Sequence, residues 1–363
     1  MSSFYGQQLK LALFGQSHGE AIGITIDGFP AGMTIDMERL AREMARRAPG
    51  QNALTTARRE ADAPEILSGV LHGVTTGQPI TAIIRNTNTR SQDYGDGVDL
   101  LRPGHADYTG HVRYFGFEDW RGGGHFSARL TAPLVFAGAL CSQWLETQGV
   151  TFASHIQQLG HIHDDSFLDG GETDIAALKA SQLPTLRPEL AAEMETAILA
   201  AKAAQDSVGG VIECMITGLP AGLGAPFFDS VESQLAHLLF AIPAVKGVSF
   251  GAGFGFASLP GSRANDPWRT GDGKIITEGN NCGGVLGGIT NGMPVIFRCC
   301  VRATPSIGQS QRTVSLKSGA EAEISVQGRH DPCVLPRAVP VVEAMAAIAC
   351  MDLWKERAGC LRG

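Results

Sequence analysis

The sequence predicts an α+β chain made of two related halves. Alternation in Ala21-Ile22-Gly23-Ile24-Thr25-Ile26-Asp27 marks a strand with its isoleucines on one face. A helical stripe follows, with Met37, Leu40, Ala41, Met44 and Ala45 at i, i+3, i+4, i+7 and i+8. The third observation is an internal repeat whose copies keep their order. Ile26-Asp27-Gly28-Phe29-Pro30-Ala31-Gly32-Met33 matches Ile216-Thr217-Gly218-Leu219-Pro220-Ala221-Gly222-Leu223. The stretch from Gly69 to Ile80 likewise matches that from Gly284 to Val295. Each half then reaches a polar cluster, Gly104-His105-Ala106-Asp107 or Gly328-Arg329-His330-Asp331, followed by an arginine and a long helix holding Cys and Trp. Shared turn chemistry could produce one match; three in sequence imply a duplication, with halves near 1–149 and 207–363 about a pseudo-two-fold axis.

In chain order, the turn Gly28-Phe29-Pro30-Ala31-Gly32 ends the first strand, and Asp36 caps a helix that stops at Ala48-Pro49-Gly50. Arg46 and Arg47 fall in its last turn, where cations suit the helix dipole. Short strands near Glu65–Leu71 and Pro79–Arg85 lead through the polar loop Asn86–Asp99 into the most unusual stretch of the chain. The run Thr131–Thr147 reads as a buried helix capped by Gly149. Residues 150–188 read as a polar surface insertion; His155, His161, His163 and Asp164 resemble metal ligands, but no further ligand is placed nearby and no metal is expected. Helices then recur over Glu189–Gln205 and Asp229–Phe240, the latter read as an Asp-started helix, with a strand near Val211–Thr217 between them.

The composition narrows the function. A net charge of −7 argues against a nucleic-acid binder, and no segment reaches the length of a membrane span, so the expected location is the cytoplasm. Eight cysteines without CxxC spacing read as free thiols of a reducing compartment. Arginine outnumbers lysine 22 to 7, and the basic residues are banked at the two ends: 13 in residues 1–129, 4 in 130–262 and 12 in 263–363. Arginine is the better fork for carboxylate or phosphate, so both ends are expected to converge on an anion.

That expectation centres on Arg102–Arg129, which holds four arginines, three histidines, two aspartates, one glutamate and six glycines in 28 residues. Glycine lets a backbone approach a ligand, and histidine moves protons near neutral pH. His18, His105 and His330-Asp331 each lie beside glycine, a pattern that suits acid–base work on a phosphorylated or carboxylated ligand. Dinucleotide, P-loop and nucleophile-elbow motifs are missing.

The same residues carry a resemblance. FGQSHG, RRAPGQ, SQDYG, RPGHADYTG, RGGGHFSAR, PAGLG, AVKGV, NNCGGVLGGITNGMP, RATPSIG and GRHDPCVLPRAVPVVEAM resemble, in order from Phe14 to Met345, the signatures of the chorismate synthase family. The resemblance implies one domain over residues 1–363, with helices layered between two antiparallel sheets in a β-α-β sandwich, assembled as a homotetramer. It implies a lyase of the shikimate pathway to aromatic amino acids. Its reaction would be the 1,4-anti-elimination of phosphate from 5-enolpyruvylshikimate 3-phosphate, with reduced FMN and no net redox change. By matching motif, His18 with Ser17 would protonate the departing phosphate, His105 the reduced flavin, and Asp331 would assist uptake of the ring proton. The flavin contacts implied are His125, Phe126, Ser127, Ala244, Gly287, Arg302, Ala303, Thr304, Pro305, Ser306 and Arg329. Arg47, Arg102, Arg129 and Arg337 are the anion-binding candidates, and Arg47 also matches a position the family associates with NADPH. The chain has no room for a reductase domain, so reduced FMN would come from an external reductase, with NADPH as an indirect electron source. The chain departs from the family pattern at Gln16, His125-Phe126 and Leu130, where the family has Glu, Arg-Ser and Glu, and at Ala53. Two alternatives stay open: a flavin-free phosphohydrolase, and a non-catalytic paralogue that binds a shikimate-type phosphate.

Overall fold

The computed structural model describes residues 3–50, 54–55, 60, 62–87, 99–271, 273–326 and 331–360. The first half begins with Phe4–Tyr5 (β1), Lys10–Gly15 (β2) and Ala21–Asp27 (β3), followed by helix Met37–Arg47 (α1). Glu65–Ser68 (β4), the hairpin Val70–Leu71 (β5) and Val74–Thr75 (β6), and Ile80–Arg85 (β7) come next. Helices Asp107–Tyr114 (α2) and Thr131–Glu146 (α3) close this half. Its sheet has the order β1-β2-β3-β7-β4, with every pair antiparallel. Ile22, Ile24 and Ile26 are fully buried, as period 2 requires of a strand packed on one face, and they face Ile84, Ala82 and Ile80 of β7.

The middle of the chain supplies Thr151–Leu159 (β8), Ile162–His163 (β9), Ile175–Ala180 (α4) and Leu190–Ala203 (α5). Then come Gly210–Thr217 (β10), Val231–Phe240 (α6), Val245–Phe250 (β11), Gly261–Ala264 (α7), Trp268–Gly271 (β12) and Lys274–Thr277 (β13). Val285–Leu286 (β14), Ile289–Thr290 (β15), Val295–Val301 (β16), Gln311–Val314 (β17), Glu321–Ile324 (β18) and Leu335–Cys360 (α8) complete it. The second sheet runs β11-β16-β10-β8-β9, again antiparallel throughout. Helix α3 packs on β3 and β7 of the first sheet and on β8 of the second, and α8 packs on α3, β8 and β10. The architecture is α+β, with its apolar core running through this helical layer.

Repeated sequence adopts repeated local structure. Thr75 Oγ1 donates to Pro30 O at 2.7 Å and accepts from Met33 N at 3.0 Å; Thr290 Oγ1 donates to Pro220 O at 2.7 Å and accepts from Leu223 N at 2.9 Å. Trp144 of α3 and Trp354 of α8 meet edge to face at 6.1 Å. The third repeat cluster lies partly outside the described residues, as do His330 and Ala53.

Three expectations need correction. Met37, Ala41 and Ala45 are exposed; α1 buries Leu40, Met44 and Arg47, a narrower stripe whose last member is a cation held by acids below. The helix of the second half begins at Val231, two residues later than expected, because Ser230, not Asp229, accepts from the first-turn amide of Ser233 at 3.0 Å, and Asp229 instead accepts from Gln234 Nε2. Within residues 150–188 the surface reading holds for His161 and His163, which are exposed, and fails for His155 and Asp164, which are buried. His155 is fully buried in β8, opposite Glu213 of β10, which is itself opposite Arg298 of β16. His155 Nδ1 and Nε2 lie 3.1 Å from Asp164 and 3.1 Å from Glu213, and Glu213 accepts from Arg298 Nε at 2.9 Å. Counter-charge links His155, Asp164, Glu213 and Arg298, and the described residues contain no group of three or more His, Cys, Asp or Glu side chains that could hold a metal ion.

Candidate active site

A cavity of about 800 Å³ lies where the two halves meet. Its floor begins with α1, whose last turn sends Arg47 inward beside Arg129 of the segment before α3. Arg47 donates to Asp62 Oδ2 at 2.6 Å, Thr131 Oγ1 at 3.0 Å and Ala128 O at 2.8 Å. Arg129 donates to the other Asp62 oxygen and, through Nε, to Asn86 Oδ1 at 3.0 Å, with Glu60 Oε2 3.2 Å away. Burial, reinforced by Arg337, pushes the Arg47 guanidinium down to about 10, so it stays charged at neutral pH. Burial acts to raise Asp62, but Arg47 and Arg129 outweigh it and hold the carboxyl below its usual range.

The glycine-rich turn builds the next wall. Gly122, Gly123 and Gly124 all have positive φ, and Gly124 O accepts from Ser17 N at 3.1 Å. A Cβ on Gly122 would stand 2.0 Å from His18 Cε1, so only glycine allows the His18 ring to lie here. Ser17 Oγ sits 3.2 Å from His18 Nδ1. His125, placed where a charged residue was expected, lies 2.9 Å through Nδ1 from Gly15 O and 3.0 Å through Nε2 from Ser3 Oγ. It clasps the first strands to the turn. Phe126 leans on Tyr114 at 6.1 Å and also faces the cavity, beside Ser127.

On the opposite side the loop before α2 meets the loop after β16. Arg102 is chelated by Asp107 at 2.6 and 2.8 Å. Burial acts to raise Asp107, and Arg102 overcomes it, lowering the carboxyl. His105 Nε2 is 2.5 Å from Ser306 Oγ, and Arg302 Nη2 donates to Gly104 O. Ala244 carries a left-handed φ of 77° and accepts from Arg302 N at 3.0 Å. Asp331 accepts from Arg337 Nη1 at 2.6 Å, and Arg337 Nε donates to Arg47 O at 3.1 Å.

Ser17, His18, His105 and Asp331 therefore line one cavity, as do Arg47, Arg102, Arg129 and Arg337. So do His125, Phe126, Ser127 and Ala244, together with Arg302, Thr304, Pro305 and Ser306. Two flavin candidates do not join them: Gly287 lies on the exposed turn between β14 and β15, and Ala303 is not part of the cavity lining, its amide packed against Gly209. Arg329 lies outside the described residues. Sequence reasoning gave no site role to Glu60, Asp107, Glu118 and Asp119, the acids interleaved with the lining arginines. Their signal was the pairing Arg-Glu and Glu-Asp-Trp-Arg within the basic stretches.

The wall suits a bound planar group with an anionic tail. Arg302 Nε and Thr304 Oγ1 are buried with no hydrogen-bond partner among the described residues, and Ile242, Pro243 and Val334 provide an apolar surface in the same cavity.

Fold and cavity together define an α+β protein with a deep, arginine- and histidine-lined small-molecule site at the junction of its halves. A family profile for chorismate synthase matches residues 9–354. A chorismate synthase of Dehalococcoides mccartyi (strain BAV1) is 45% identical over 361 residues, covering 97% of this chain and 96% of the relative. One of Thermococcus kodakarensis is 43% identical over 348 residues, covering 96% of each. A crystal structure of chorismate synthase superposes with a TM-score of 0.77 at 29% identity, over 98% of this chain and 94% of that one. The chain belongs to the chorismate synthase family. No helix among the described residues is long and apolar enough to cross a membrane.

Proposed function

We propose that the chain is a lyase that removes phosphate and a ring proton from 5-enolpyruvylshikimate 3-phosphate to give chorismate, in the presence of reduced FMN. The observation that carries this reading is the convergence of His18, His105 and Asp331 on one cavity whose arginines come from both halves. A substrate with two carboxylates and a phosphate needs several cationic forks, and a departing phosphate needs an acid.

Arg102, Arg129 and Arg337 orient the anionic groups, exchanging part of their pairing with Asp107, Asp62 and Asp331 for ligand oxygens. Arg47, with its donors committed to Asp62, Thr131 and Ala128, supports the floor and contributes its charge at short range. His18, steadied by Ser17 and by Gly122, holds the proton for the leaving phosphate at its ring. His105 and Asp331 serve the proton traffic on the cofactor side. Arg302 and Thr304 would hold the anionic tail of FMN, with Ser127, Phe126 and Ala244 along its ring. When bound, reduced FMN would supply electron density to the reacting ligand. An external reductase delivers it, NADPH being the indirect electron source. Family membership also makes the homotetramer the proposed assembly, which light scattering tests.

The deciding experiment is anaerobic release of phosphate and chorismate with and without chemically reduced FMN. Matched release of both, only with reduced FMN, supports the proposal. Phosphate without chorismate would replace it with a hydrolase, and substrate binding without product with a non-catalytic relative.

A further inference from the structure

We infer that Ser306 is the positioning residue for His105: its hydroxyl donates to His105 Nε2 and so keeps the proton of the neutral imidazole on Nδ1, making that nitrogen the ring's hydrogen-bond donor. The inference rests on the proposed role of His105 and adds to it the tautomer and its cause.

The argument starts from the hydroxyl. Ser306 is 5% exposed, and a buried hydroxyl left without an acceptor is costly. His105 Nε2, at 2.5 Å, is its only hydrogen-bond partner among the described residues. Were Nε2 the protonated nitrogen, it would donate to Oγ and leave the seryl hydrogen with no acceptor among the described residues. The reverse arrangement satisfies both groups: Oγ–H donates, Nε2 accepts, and the neutral ring carries its proton on Nδ1.

The surroundings leave this pair little room to rearrange. His105 comes from the first half and Ser306 from the second, 201 residues apart, and their loops are pressed together. Arg302 Nη2 donates to Gly104 O, and a Cβ on Gly104 would stand 2.9 Å from Pro305 Cβ. His105 N donates to Arg102 O at 3.1 Å, which fixes the backbone under the ring. Further along, Leu101 N donates to Val314 O at 3.3 Å and Ser315 Oγ to Asp99 at 2.7 Å, so the β17–β18 hairpin backs the whole histidine loop. A histidine in water prefers the Nε2-protonated form; here a residue of the opposite half selects the other.

The test is ¹⁵N NMR of the histidine side chains in the flavin-free protein, in wild type, Ser306→Ala and Ser306→Thr. The expected result is a neutral His105 protonated on Nδ1 in wild type and in Ser306→Thr, and on Nε2 in Ser306→Ala, with His155 unchanged as a fold control. An Nε2-protonated His105 in wild type, or a tautomer that ignores Ser306→Ala, would overturn the inference. Anaerobic turnover supplies the second readout: Ser306→Ala should lower kcat by about 10- to 100-fold and shift the pH profile, with Ser306→Thr restoring most of the rate. An unaltered pH profile in Ser306→Ala also counts against it. Failure of wild type to form chorismate at all would instead overturn the proposed function, leaving the tautomer result standing.

Discussion

Asp62 accepts from Arg47 at 2.6 Å on one carboxylate oxygen and from Arg129 on the other, so a single buried acid holds two guanidiniums beneath the cavity. Asp62→Asn would leave Arg129 with Glu60, 3.2 Å from its Nε, and would take from Arg47 its ion-pair partner Asp62. The expected cost is about 3–5 kcal/mol, the usual penalty for breaking a buried ion pair from one side. Urea unfolding at neutral pH measures it. The pH dependence has a defined sign: the Asp62 pKa is lowered on folding, so its contribution is present above about 3.9 and fades as pH falls through the lower folded value. Wild type should therefore lose an acid-sensitive component that Asp62→Asn lacks; equal acid limbs would argue that Glu60 carries the neutralisation.

Much of the architecture was legible because it depends on local pattern. The isoleucines of β3, the Asp36 cap of α1 and the repeated Pro-Ala-Gly turns each announce themselves within a few residues. What hid was long-range pairing. His155 looked like a surface ligand because its two partners, Asp164 and Glu213, are nine and 58 residues away and meet it only through strand register. The site was legible as a set of arginines and histidines, but not as a neutralised set: the acids Asp62, Asp107 and Asp331 take up guanidinium donors that charge counting treated as open. Gly287 was carried by motif alone, and its place on a hairpin turn follows from the repeat, where it mirrors His72-Gly73 in the first half.

The buried His155 yields a second pH signature of opposite sign. Burial acts to lower its pKa, while the hydrogen bonds to Asp164 and Glu213 outweigh burial and raise it. A raised histidine contributes stability that is complete below about 6.5 and is lost as pH rises through the folded value. His155→Gln should unfold about 3–5 kcal/mol more readily at pH 6, with the gap to wild type narrowing toward pH 9. Thermal denaturation across that range checks it, and a gap independent of pH would mean that His155 acts by packing. Turnover below the melting range should be preserved, because His155 does not line the cavity.

Helix α3 approaches α8 through Gly138, where a Cβ would stand 2.3 Å from both Cα and Cβ of Ala344. Helix propensity alone favours Gly138→Ala by about 1 kcal/mol. Overpacking costs about 1–3 kcal/mol, and here the obstacle is backbone, which cannot swing aside. The net expectation is destabilisation, with the Trp144–Trp354 contact loosened and the near-ultraviolet circular dichroism reduced. A more stable variant with unchanged tryptophan signals would show that the two helices can separate at little cost.

The sharpest functional consequence concerns Gly122. Its φ of 59° lies in the left-handed region, and its missing side chain makes the space that His18 occupies. Gly122→Ala adds backbone strain of about 1–2 kcal/mol and drives a methyl carbon toward a ring atom only 2.0 Å away. The turn is otherwise anchored by the bond from Ser17 N to Gly124 O, so the imidazole is the part that yields. Displacing a proton donor by about 1 Å can cost 10²-fold in rate, and that is the expected loss in kcat. Substrate binding should change little, because the arginines that hold the anionic groups lie on other segments. Anaerobic turnover alongside calorimetric titration of 5-enolpyruvylshikimate 3-phosphate separates the two effects. A variant that keeps its kcat would mean that His18 does not need this position; one that loses binding in proportion to rate would place His18 among the groups that grip the substrate, without a special part in the departure of phosphate.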